Sequence, residues 1–159
     1  MFWAAFGHRI RTNLVFIRGD AVSKRGGVIA RRYIKVLNEY LPTVLDHDSI
    51  FIQDNAPIHK VHTVTKWLED IGIEVVDWPP YSPDLNPIEN LWKILKAKII
   101  ELHPELVTMK DNDTTKDHLI VCTQEAWDLL EEDMLNKLAE GIQKRVNAIK
   151  AANEWYTKY

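Results

Sequence analysis

The sequence predicts a mixed α/β fold, and three observations carry that prediction. Two short apolar stretches, residues 50–53 and 73–78, flank a segment whose apolar residues recur at helical spacing, which makes a parallel strand–helix–strand unit. Residues 2–6 and 13–17 form a second pair of short strands, joined by a hairpin connection over 7–12. Beyond Pro87 the apolar positions follow helical spacing in three successive segments.

Taken in order, residues 2–6 are apolar and aromatic and close on Gly7, and Gly19-Asp20 ends the second strand. The next stretch is locally basic, with Arg18, Lys24, Arg25, Arg31, Arg32 and Lys35 against Asp20 alone. Gly26-Gly27 keeps its first part irregular. From about Val28, the positions Ile29, Tyr33, Val36, Leu37 and Leu41 mark a helix that Pro42 kinks or ends. The run 50–53 shows little alternation, as expected of a strand covered on both faces. A helix follows with Val61, Val64, Leu68 and Ile71 on one stripe, His59, His62, Lys66 and Asp70 mostly off it, and Gly72 as its C-terminal cap.

After the strand 73–78, four of the seven prolines fall within residues 79–87, so this loop is stiff. The next helix carries Ile88, Leu91, Trp92, Leu95, Ile99 and Leu102 on one face and stops at Pro104. Residues 111–115 are a polar connection with Thr114 or Thr115 as N-cap. Leu119, Cys122, Ala126, Leu129 and Leu130 form one helical stripe, and Leu135, Leu138, Ile142, Val146 and Ile149 another. These read as an antiparallel helix pair with an acidic joint at Glu131-Glu132-Asp133, followed by an aromatic tail without clear period over 153–159.

The totals limit the function classes. A chain of 159 residues with 46% hydrophobic content is read as one domain, with an α/β core over 1–104 and a helical part over 105–159. The single cysteine, Cys122, excludes an internal disulfide and fits a reducing compartment. No apolar run reaches the length of a membrane span, and the opening Met1-Phe2-Trp3 lacks the basic region of a signal peptide. With a net charge of −3, contact with nucleic acid must rest on local patches or on metal ions.

Asp54 stands at the C-terminal end of a parallel strand, where open α/β sheets place their ligands. The competing reading is an Asx turn leaving the strand, which Asp54-Asn55 before Ala56-Pro57 suits well. Glu89 has a structural account too: Asn86-Pro87-Ile88-Glu89 reads as N-cap, N1, N2 and N3 of a capping box. Asp84 in the proline loop and Asp77 at a strand end are rival carboxylates. His59 and His62 lie three apart on a helix, a spacing that suits a metal, with no third ligand evident nearby. Lys93 and Lys96 lie off the apolar stripe, placed either to meet phosphates or simply to be solvated.

The runs Gln53-Asp54-Asn55-Ala56-Pro57-Ile58-His59 and Trp78-Pro79-Pro80-Tyr81-Ser82-Pro83-Asp84-Leu85-Asn86-Pro87-Ile88-Glu89-Asn90-Leu91-Trp92, with Lys96 continuing the match, closely resemble the catalytic domain of Tc1/mariner transposases. Between Asp54 and Glu89 lie 34 residues, the spacing of the Tc1 branch. The resemblance extends to residues 1–7, to 33–37 and to Arg145-Val146 with 155–159, and is weakest over 102–123. It implies an RNase H-like mixed sheet flanked by helices, and a triad of acids holding two Mg²⁺ or Mn²⁺ ions. Asp54 is then the second acid and Glu89 the third, both catalytic and metal-binding, and Asp84 becomes a loop residue. In such a site one ion activates water or a DNA 3′-OH and the other stabilises the leaving oxygen, with the ions about 3.5–4 Å apart. DNA is the implied partner, as transposon ends and a TA target, and the residues expected to face it are His59, Lys66, Tyr81, Lys93 and Lys96. A nuclear location and a homodimer are compatible with the family; no membrane is involved.

The first acid of the family, its central first strand and its N-terminal helix-turn-helix region match nothing in these residues. Asp20 belongs toward the far edge of the sheet, and Asp46 and Asp48 at the opposite end of the Asp54 strand. The expectation is therefore impaired cleavage by this chain alone. The alternative is a non-catalytic remnant acting as a nucleic-acid-binding or interaction module. Two strand edges are also expected to lack their shared neighbour.

Overall fold

The computed structural model describes all residues except 22, 24–25, 47–48, 77, 80–81 and 152–159, and leaves the side chains of 84, 143, 146 and 148–151 undescribed. The chain divides into two compact units, Met1–Asn86 and Pro87–Tyr159. The division falls inside the stretch read from sequence as one core over 1–104.

Unit 1 holds the strands. β1 (Phe2–Trp3) pairs antiparallel with β4 (Val15–Phe16), and β2 (Phe6–Gly7) with β3 (Ile10–Arg11). Residues 2–6 therefore make two strands rather than one, and the expected hairpin connection contains a strand of its own. Thr12 explains the break. It is buried, its N–H donates to the Ala5 carbonyl (2.9 Å), and its Oγ1 accepts from the Ala5 N–H (2.9 Å), so Ala5 is bound by one residue through both backbone and side chain. Gly19 is required for close approach: a Cβ there would meet the Gly26 carbonyl oxygen at 1.9 Å. Behind it, buried Asp20 accepts from Arg32 Nε (3.0 Å).

α1 (Ala30–Tyr40) buries Tyr33, Val36 and Leu37 as the spacing requires, and gives way to a 3-10 turn, Leu41–Thr43, at Pro42. α2 (His62–Asp70) is shorter than its apolar pattern: Val64 and Leu68 are buried, whereas Val61 and Ile71 flank the helix and are exposed. His59 is not on this helix but in the turn before it. Gly72, at φ +73°, ends α2 with its N–H on the Glu69 carbonyl, as its placement predicted. Trp3, Ile17, Tyr33, Leu37, Phe51 and Leu68 share one core.

The parallel pairing of 50–53 with 73–78 is present, but as a single bridge, Phe51 with Val75. Phe51 N–H donates to the Glu74 carbonyl (2.9 Å) and Val76 N–H to the Phe51 carbonyl (3.1 Å). The expected strands are longer than the observed ladder because polar side chains take over beyond Phe51: Asn55 Nδ2 donates to the Trp78 carbonyl (2.7 Å), and Tyr33 Oη to Gln53 Oε1 (3.1 Å). Nor is this segment covered on both faces, since only Phe51 is buried and Ile50 is exposed.

Unit 2 is helical. α3 (Pro87–Leu102) buries Pro87, Leu91, Leu95 and Ile99, one per turn, and its end leads into a 3-10 turn at Pro104–Val107. α4 (Asp113–Asp128) is capped by Asn112, whose side chain accepts from the Thr115 N–H (2.8 Å), not by a threonine; Thr115 Oγ1 instead donates to the Lys110 carbonyl (2.7 Å). Its buried face is Cys122, Thr123, Ala126 and Trp127, while Leu119 and Leu129 are exposed. Trp127 packs its ring 6.1 Å from that of Trp92. α5 (Glu132–Ala151) starts at the acidic joint and buries Leu135 and Arg145. The expected α4–α5 pair is replaced by a different arrangement, in which both helices pack chiefly on α3. The tail 153–159 lies outside the described residues.

Candidate active site

In unit 1, Asp54 leaves the bridged segment as both sequence readings required. Its Oδ1 accepts from the Ala56 N–H (2.9 Å), an Asx turn that fixes the carboxylate over the turn leading to α2. The same oxygen lies 2.7 Å from His59 Nδ1, which also approaches the Asp54 carbonyl (3.2 Å). The Asp54 side chain is 45% exposed and that of His59 only 16%. The turn and the ligand-facing position are therefore compatible: Oδ1 serves the fold and Oδ2 is left for a further partner.

His59 does not offer itself as a free DNA contact. Its ring stacks on Tyr33 at 5.0 Å between centroids, with 29° between planes. Burial, reinforced by the Asp54 charge, pushes the Tyr33 hydroxyl well above the ordinary tyrosine range, which keeps it a donor to Gln53. Tyr33 and Asn55 thus build the surroundings of Asp54, a role that the sequence reading assigned to neither. A signal was present in Asn55, since the residue after a strand-end Asp can reach a neighbouring strand. Lys66 is exposed on α2, and His62 opens that helix, also exposed.

In unit 2, Glu89 is half-buried in the first turn of α3, where the helix dipole favours a carboxylate. Pro87 opens the helix and Asn86 before it is buried. Lys93 and Lys96 are exposed and follow Glu89 at i+4 and i+7, so a carboxylate and two cations share one stripe of α3. Asn90 on the next position accepts, in its hydrogen-bonding orientation, from Arg145 Nη1 (3.0 Å) of α5. Tyr81, Asp77 and Asp48 lie outside the described residues, as does the side chain of Asp84. Asp46 is exposed and accepts from Ser49 Oγ (2.6 Å).

Residues 22–111 match the family model of the DDE superfamily endonucleases. The Tc1 transposase of Caenorhabditis elegans is 32% identical over 110 residues, covering 69% of this chain and 37% of the relative. The Tc3 transposase of the same organism is 28% identical over 150 residues, covering 92% and 41%. The chain thus spans less than half the length of these curated relatives. Among solved structures, the Mos1 transposase catalytic domain with Raltegravir and Mg shares the fold at a TM-score of 0.65 and 18% identity, over 99% of this chain and 84% of that one. The Mos1 strand transfer complex matches at 0.60 and 25%, over 82% and 37%. The chain belongs to the DDE superfamily endonucleases, and within them to the Tc1/mariner transposase catalytic domains, with their RNase H-like α/β fold.

Proposed function

We propose that this chain supplies the second and third acids of a metal-dependent site for DNA strand cleavage and strand transfer, Asp54 and Glu89. The observation that carries the reading is Asp54 itself: a partly exposed carboxylate at the end of a parallel-bridged segment, oriented by Ala56 and His59, with 34 residues between it and Glu89 at the head of α3. Both groups are partly exposed oxygen donors, a donor set that fits Mg²⁺ or Mn²⁺. When bound, such ions supply Lewis-acid activation of a water or 3′-OH and offset charge on the leaving oxygen. His59 holds the Asp54 carboxylate in one orientation through Oδ1. Lys66, Lys93 and Lys96 are exposed cations available to DNA phosphates. The same reading extends to transposon ends and TA target DNA as partners, a homodimer as the working assembly and the nucleus as its place of action.

Two carboxylates hold two like-charged ions poorly. The 159 residues alone are therefore expected to bind Mn²⁺ weakly and to nick DNA slowly or not at all. The test is supercoiled-plasmid nicking with Mg²⁺ or Mn²⁺, read beside Mn²⁺ binding, for the chain and for Asp54→Asn and Glu89→Gln. Loss of nicking and of Mn²⁺ binding in both variants supports the assignment. Nicking that survives both substitutions overturns it. A chain that neither nicks nor binds Mn²⁺, yet binds duplex DNA in a salt-sensitive way without need of Mg²⁺, is the non-catalytic module instead.

A further inference from the structure

We propose that His103, Glu105 and Cys122 form a binding site in unit 2 for a zinc-class transition metal ion, with His118 as its fourth ligand. One donor atom from each of the first three residues lies within 4.8 Å of the other two. His118 Nε2 stands 3.3 Å from Glu105 Oε1 and 3.6 Å from Cys122 Sγ. Tetrahedral zinc with ordinary bond lengths separates an N,O pair by about 3.4 Å and an N,S pair by about 3.6 Å. Those two edges are therefore already at coordination distance. His103 Nδ1 lies 3.6 Å from the same Glu105 oxygen. The two imidazoles meet edge-on with centroids 6.2 Å apart, so ring rotation has to bring their nitrogens together.

The surroundings suit a ligand histidine. His103 Nε2 is buried and makes no well-aligned hydrogen bond among the described residues, yet Glu125 Oε2 lies 3.2 Å from it. With the metal on Nδ1, that nitrogen carries the proton and Glu125 becomes the outer carboxylate that fixes the ring. The four ligands come from three pieces of backbone. His103 follows α3, with its N–H on the Ile99 carbonyl; Glu105 sits in the 3-10 turn; His118 and Cys122 lie one turn apart on α4. A bound ion would cross-link the α3–α4 connection to α4. Thiolate and imidazole donors select zinc over magnesium or manganese, so this site is chemically distinct from the oxygen-only pair Asp54 and Glu89 and does not rest on it. Binding replaces the Cys122 S–H bond with a metal–sulfur bond and releases that proton to solvent.

The sequence carried a signal for this cluster, a histidine and cysteine at i and i+4 on one helix, but no spacing rule ties it to His103 and Glu105 across the intervening turn.

The experiment uses the purified chain stripped with EDTA. Zn²⁺ is expected to bind at one equivalent, with release of protons, and to raise Tm by about 5–10 °C at ~100-fold excess over Kd, where Mg²⁺ does not. Co²⁺ in its place should show thiolate charge-transfer absorption, lost in Cys122→Ser. Glu105 and His118 are exposed enough that Glu105→Gln and His118→Gln should fold, and each should weaken Zn²⁺ binding ~10-fold or more. Asp54→Asn should leave it unchanged. The proposal is overturned by a folded chain whose Tm ignores Zn²⁺, by a Co²⁺ complex without the thiolate band, or by unchanged affinity in the Glu105→Gln and His118→Gln variants.

Discussion

Unit 1 and unit 2 hold their chemistry-bearing side chains by different means. In unit 1 regular pairing is thin: four two-residue strands and one bridge among the described residues. What fixes the backbone between them is a set of polar contacts, Thr12 on Ala5, Arg32 on Asp20, Tyr33 on Gln53 and Asn55 on Trp78. In unit 2 the candidate ligands hang on or beside helices packed through Leu91, Leu95 and Ile99. A typical hydrogen bond contributes about 0.5–1.5 kcal/mol net, whereas truncating a buried leucine costs about 2–5 kcal/mol. The Asp54 carboxylate is thus placed by individual polar contacts beside the core of unit 1, whereas the cluster of unit 2 is placed by the packing of its helices. The donors differ in the same sense, hard oxygens in one and nitrogen and sulfur in the other.

The largest effect expected is from Asp54→Asn. If this carboxylate holds metal, the substitution should abolish Mn²⁺ binding and lower whatever slow nicking the chain shows by ~10³-fold, at tenfold per 1.36 kcal/mol. Its effect on Tm should be small, because the amide oxygen can keep the Asx turn. A large fall in Tm with unchanged nicking would reverse the comparison and make Asp54 a purely structural residue. Next comes Leu91→Ala. Leu91 is fully buried in the second turn of α3, and its truncation should cost about 2–5 kcal/mol in urea unfolding. A cost under about 1 kcal/mol would show that α3 is not the spine of unit 2.

His59→Asn tests how far one polar contact places that carboxylate. His59 meets Asp54 Oδ1 at 2.7 Å and stacks on Tyr33, so its loss frees the carboxylate without opening the core. The expected result is a ~10–100-fold weaker Mn²⁺ affinity with far-UV circular dichroism unchanged. Equal Mn²⁺ affinity in the variant would mean that the His59 contact does nothing for the site.

The same contrast explains what was legible in the sequence. Periodicity reported the helices because burial at every turn is a one-dimensional pattern: the spacing of Leu91, Leu95 and Ile99 is by itself enough to mark α3. The apolar runs likewise indicated the order and parallel sense of the bridged segments around Asp54. They overstated the strand lengths, because an apolar run does not reveal that Asn55 and Tyr33 will replace the ladder with side-chain bonds. Helical spacing paired α4 with α5 because two apolar stripes joined by a short acidic joint look complementary; that both faces turn to α3 is a tertiary fact. The cap of α4 was misplaced for a local reason. Thr114 and Thr115 are good capping residues, but Asn112 takes the extended conformation two residues earlier.

That cap provides the smallest and most discriminating test. Asn112→Ala removes the bond to the Thr115 N–H and should cost about 1 kcal/mol, restored by Asn112→Asp. α4 also carries His118 and Cys122, and the cap lies six residues, about 9 Å along the axis, from His118. If unit 2 is one stiff frame, fraying the first turn leaves the ligands in place. The cost should then be the same with and without Zn²⁺, within about 0.5 kcal/mol. A larger cost in the metal-free chain would show that the ion, not helix packing, holds the start of α4. The two units would then resemble each other in depending on individual polar contacts to place their reactive groups.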